Sequence, residues 1–143
     1  MIELALASLR ASGRLRVRVA GSSMLPAIRP GDVISVRAGD PHDARPGEVV
    51  LFTREGRLFA HRVVRRSSGA LVTRGDALAD CDRPVQRDEF VGIVESVARG
   101  GRSFPARVRV SPLGRAASAV FRRSALAGRL FTRMNAWASR GSR

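Results

Sequence analysis

Between residues 49 and 66 the chain reads VVLFTREGRLFAHRVVRR, and this run dictates β structure. Branched and aromatic residues fill two stretches on either side of Glu55-Gly56. Such residues suit a pleated, half-buried surface, and a two-residue turn ending in glycine joins antiparallel neighbours. The run therefore predicts two strands in a hairpin.

Shorter runs repeat the theme. RLRVRV at 14–19 alternates strictly and predicts a strand, as does DVISVRA at 32–38. Ser67-Ser68-Gly69 breaks the second strand of the hairpin, and ALVTRG at 70–75 starts another. FVGIVESVA and RSFPARVRV flank Gly100-Gly101 and predict a second hairpin, with Pro105 confining its last strand to an edge or a bulge. Between these lie AGSSMLPAIRPGD at 20–32, GDPHDARPGE at 39–48 and DALADCDRPVQRDE at 76–89, which read as loops. Ile2, Leu6 and Leu9 share one face of a short helix that Gly13 ends. At the other end Leu113, Ala117, Val120, Ala127, Phe131, Met134 and Ala138 recur with helical spacing. The expected organisation is an N-terminal helix over 1–13, a mainly β domain over 14–110 and a basic amphipathic helical tail over 111–143.

Composition narrows the chemistry. Lys and Arg together number 26 against 12 acids, a net charge of +14, and all 26 are arginine. Arginine stays protonated in proteins, so no mechanism here can use a neutral lysine as base. One cysteine, Cys81, excludes an internal disulfide, and it reads as inert; with two histidines, His42 and His61, no metal cluster is expected. No cofactor is called for. No run approaches the ~18 apolar residues of a membrane-spanning helix. The N-terminus lacks the basic start and the apolar length of a signal peptide, so the expected location is the cytoplasm or a membrane surface.

Three clusters carry reactive side chains: the GSSMLP loop, His61 within its strand, and Thr73 through Asp82. Small neighbours let a substrate backbone approach a serine hydroxyl. That hydroxyl needs a base, and histidine titrates in the right range. An acid can then orient the imidazole, and Asp76, Asp80 and Asp82 follow the next strand. Spacing alone leaves the bland readings open: Ser23 bonding its own loop backbone, His61 as a packed strand histidine, Asp76 tying a turn.

SMLPAIRPGD at 23–32 resembles the serine box of the signal peptidase I and LexA-like serine peptidase superfamily. RPGEVVLF at 45–52 resembles the segment that follows it, with Glu48 in place of an aspartate. HRVV at 61–64 and TRGDALADCD at 73–82 resemble the boxes of the histidine-bearing branch, which includes the endoplasmic-reticulum and archaeal signal peptidases. The resemblance covers about 21–95 and implies a complex β-barrel-like fold. It implies Ser23 as nucleophile, His61 as general base in place of lysine, and Asp82 as the orienting acid, with Asp76 structural or contributory. It also implies the Ser23 N–H as an oxyanion donor. The chain departs from the family pattern at Gly21, where a serine is common, and at Leu78, where asparagine is expected.

The expected activity is that of a serine endopeptidase acting on a leader or signal peptide, a preprotein or a propeptide. The alternative is a catalytically silent peptide-binding or membrane-peripheral module of the same fold. A DNA-linked regulator of the LexA-like kind would need a helix-turn-helix before the β domain and a lysine base. Residues 1–13 are too short for the first, and the second does not exist. The tail carries seven arginines and no acid. It suits an anionic membrane surface or a solvated face equally, and nucleic acid ranks last because few aromatics interleave the charges.

Overall fold

A computed structural model describes residues 2–107. The expected tail, 111–143, and the last residues of the expected β domain lie outside the described residues. In order come α1 (Ile2–Ser12), β1 (Arg14–Arg18), β2 (Val33–Arg37), a 3-10 turn at Pro41–Asp43, β3 (Val49–Arg54), β4 (Arg57–Ser67), β5 (Ala70–Arg74), β6 (Phe90–Arg99) and β7 (Arg102–Pro105). Among the described residues no helix is long and apolar enough to cross a membrane.

Three tight turns set the register. Glu55-Gly56, Ser68-Gly69 and Gly100-Gly101 each put two successive residues at positive φ, between 48° and 79°. That is the backbone of the two-residue turn whose twist matches a hairpin. They join β3 to β4, β4 to β5 and β6 to β7, all antiparallel.

The seven strands make one sheet in the order β1-β2-β6-β3-β4-β5, with β7 also on β6. Long β6 is the spine. One side pairs with β2; the other pairs with β3 through its first half and β7 through its second. The mainly β expectation holds, but the pairing path is open, and β1 and β5 do not pair with each other among the described residues. The expected barrel-like closure is thus not made by strand pairing among the described residues. Helix α1 packs on β1, and a bridge between Leu71 and Val85 lays the following loop along β5.

Both faces of β3 are buried. Val49 and Leu51 join Met24, Ile28, Ile34, Val36, Val94 and Val97 in one core cluster. Val50 and Phe52 point the other way, to Val63, Leu71, Val85 and Ile93. All four β3 side chains are at most 1% exposed. Full burial of such a side chain is worth roughly 1.5–3 kcal/mol, so this strand anchors two cores at once.

Gly92 of β6 lies close against Val36 and Arg37 of β2. A Cβ there would meet the Arg37 carbonyl and come within 2.8 Å of Val36 Cγ1. Gly92→Ala is expected to cost about 1–3 kcal/mol by overpacking. Thermal unfolding should show a midpoint several degrees lower; an unchanged midpoint would contradict this packing.

Candidate active site

Ser23 sits in the loop between β1 and β2. Its neighbour Met24 is 2% exposed and plugs the first core cluster, as does Ile28 at 1%. The loop closes on itself through Val19 N–H to Asp32 O at 2.8 Å and Gly31 N–H to Val19 O at 2.8 Å. Asp32 is the clamp. Its buried carboxylate accepts from Arg99 Nε at 2.8 Å and Nη2 at 2.5 Å, and from the Arg29 N–H at 2.7 Å. The Arg99 hydrogen bond outweighs desolvation and holds the Asp32 carboxyl below its ordinary value.

His61 lies mid-strand in β4 and is 4% exposed. Its ring meets Phe52 and Phe59 edge-on at 5.8 and 6.0 Å between centroids. Those two phenylalanines stack on each other, so packing orients the imidazole before any polar partner acts.

The polar partners then complete the line. His61 Nε2 is 3.0 Å from Ser23 Oγ, and Nδ1 is 2.7 Å from Asp82 Oδ2. Thr73 Oγ1 donates to the same carboxylate oxygen at 2.6 Å. Partial burial pushes the Asp82 carboxyl up. Hydrogen bonds from His61 and Thr73, with the charges of His61 and Arg54, outweigh this and hold it below its ordinary value. An ionised carboxylate only accepts, so Nδ1 carries the proton. In the neutral ring Nε2 then presents its lone pair to the serine hydroxyl.

Asp76 is not in this line. It makes a two-pronged ion pair with Arg62, Nε to Oδ1 and Nη2 to Oδ2, both at 2.8 Å. The cause is the strand period: consecutive residues of β4 point to opposite faces, so His61 and Arg62 reach different carboxylates. Arg62 also donates to Gly47 O at 2.7 Å. The Asp76 turn touches the Ser23 loop through Ala77 N–H to Ser23 O at 2.9 Å. A Cβ on Gly75 would come within 2.6 Å of that same carbonyl, so only glycine allows the approach.

The loop bearing Asp82 is held from β3. Arg54 forks onto Glu89 at 3.0 and 2.9 Å and donates to Arg83 O at 3.2 Å. Sequence reading missed Arg54, Glu89, Arg62 and Arg99, because long-range pairing of charges leaves no local signal. Asp80, Cys81 and Asp88 are exposed, and His42 stands exposed in the loop before β3.

The sequence profile of the Peptidase S24-like family matches residues 3–94. The chain belongs to that family. The match spans the Ser23 loop, His61 and Asp82 of this S24-like chain. It supports a fold of the serine-peptidase type. No curated protein matches it.

The Arg54 hydrogen bond pulls the Glu89 carboxyl of this S24-like domain from 4.5 down to about 2. A group depressed in this way adds stability above its unfolded value, and that stability is lost as pH falls through its folded value. Between pH 4.5 and about 2, wild-type unfolding midpoints should therefore drop more steeply than those of Glu89→Gln. Parallel slopes in a denaturation series across that range would contradict the assignment.

Proposed function

We propose that this chain is a serine endopeptidase of the histidine-bearing signal-peptidase type, with Ser23 as nucleophile and His61 as base. The observation that carries the reading is the unbroken line Ser23 Oγ, His61, Asp82, with links of 3.0 and 2.7 Å. Both lie within the reach that proton transfer requires.

The chemistry follows from that line. Ser23 Oγ attacks the peptide carbonyl while its proton passes to His61 Nε2. The imidazolium is stabilised by the Asp82 carboxylate, which keeps its own charge. The oxyanion of the tetrahedral intermediate meets the Ser23 N–H, which has no acceptor among the described residues. His61 returns its proton to the departing amine, leaving an acyl ester on Ser23. Water, deprotonated by His61, attacks the ester. The acid product leaves and the serine hydroxyl is restored.

An extended substrate has a place to pair. Strand β4 is eleven residues long, but β5 pairs only with Arg62–Ser67. On that side the backbone from Arg57 to Ala60, which leads directly to His61, carries no second strand among the described residues. A peptide can add there as a strand, with main-chain hydrogen bonds for affinity. The family resemblance favours small residues before the cut. We assign the substrate to leader, signal or propeptides.

Peptides with alanines before a scissile bond, incubated with the protein and read by mass spectrometry, test the reading. Ser23→Ala and His61→Ala should each lower the cleavage rate by at least about a thousandfold, since residues that act as one unit fail together. Cleavage undiminished in both variants would leave a peptide-binding module of the same fold.

A further inference from the structure

We propose that Thr73 is a positioning residue whose hydroxyl fixes the Asp82 carboxylate against His61. The proposal rests on the peptidase reading above and extends it to a fourth side chain.

Thr73 lies in β5 with 0% exposure. A valine would fill the same space in a strand without a polar atom to satisfy. A buried hydroxyl needs a partner, and this one takes Asp82 Oδ2 at 2.6 Å. The backbone repeats the contact in reverse, with Asp82 N–H donating to Thr73 O at 2.8 Å. Asp82 therefore leaves an irregular loop but is tied to a rigid strand at two points.

Both side-chain donors converge on one oxygen. His61 Nδ1 and Thr73 Oγ1 share Oδ2, which holds the carboxylate in one rotation about its Cβ–Cγ bond. That rotation keeps the Nδ1 proton in place and the Nε2 lone pair aimed at Ser23. Hydrogen bonds to a charged acceptor are the strong ones, so the hydroxyl also helps keep Asp82 ionised beside the ring. The strand period explains why Thr73 can do this. Its cross-strand partner is Val63, two residues beyond His61 on the same face of β4.

The test compares wild type with Thr73→Val, Thr73→Ser, Asp82→Ala and the Thr73→Val/Asp82→Ala double variant. Covalent labelling of Ser23 by a fluorophosphonate probe is timed in each, with Ser23→Ala as blank. The Asp82 carboxyl is titrated by carbon NMR in the proteins that retain it. Thr73→Val should label about tenfold more slowly, the scale of one hydrogen bond to a charged group. Thr73→Ser should recover most of that loss. In the Asp82→Ala background the same change should do nothing more, because Thr73 acts through Asp82. The Asp82 titration midpoint should rise in Thr73→Val and return in Thr73→Ser. An unchanged midpoint in Thr73→Val, or an equal slowing with and without Asp82, would overturn the proposal. If wild type labels no better than the Ser23→Ala blank, the peptidase reading falls instead, and the titration still decides whether Thr73 holds Asp82.

Discussion

A strand sends consecutive side chains to opposite faces, and in β4 this period separates His61 from Arg62. The rest of the site depends on that separation. His61 turns to the face lined by Phe52 and Phe59, where packing aims its ring. Arg62 turns to the other and grips Asp76. Two acids six residues apart in one irregular segment thus receive different tasks. Asp82 faces the imidazole, and Asp76 ties its own turn, which bonds the Ser23 loop, to the sheet.

Arginine suits this arrangement. The two loop segments that meet at the site, 20–32 and 76–89, have little regular structure of their own. Arg99 with Asp32 fixes the first to the sheet, and Arg62 with Asp76 and Arg54 with Glu89 fix the two ends of the second, each by a two-pronged guanidinium–carboxylate pair. A planar fork holds orientation as well as distance, which a lysine ammonium cannot do. The same preference removes any amine side chain that could serve as base, and the proposed reaction uses histidine instead. The chain's basicity is thus partly structural, with its few acids placed where loops must be held.

Much of the fold was legible because its signals are local. The Glu55-Gly56, Ser68-Gly69 and Gly100-Gly101 pairs announce their turns, and the alternation in RLRVRV gives β1 its exposed arginines. The order of strands was not legible, since β6 joins β2 and β3 across long stretches of sequence. Nor was the open pairing path, because which strands end a sheet is set by long-range pairing and not by local pattern. Ser23 and Asp82 stood out only through the family resemblance, among many hydroxyls and 12 acids, whereas His61 stood out also because the chain has two histidines and no lysine. The roles of Thr73 and the three clamping arginines did not, although Thr73 heads the box at 73–82 and Arg62 lies in HRVV. A buried strand threonine looks like any β-branched residue, and an arginine among 26 carries no mark of its partner.

The orientation of one ring decides the account. Nitrogen-15 NMR of the imidazole at neutral pH reports which nitrogen bears the proton. If Asp82 holds Nδ1 and Ser23 faces Nε2, the neutral ring of His61 carries its proton on Nδ1, and Asp82→Ala redistributes it. A neutral ring protonated on Nε2 in the intact protein, unaltered by Asp82→Ala, would mean that no lone pair faces the Ser23 hydroxyl and that the line of proton transfer does not exist.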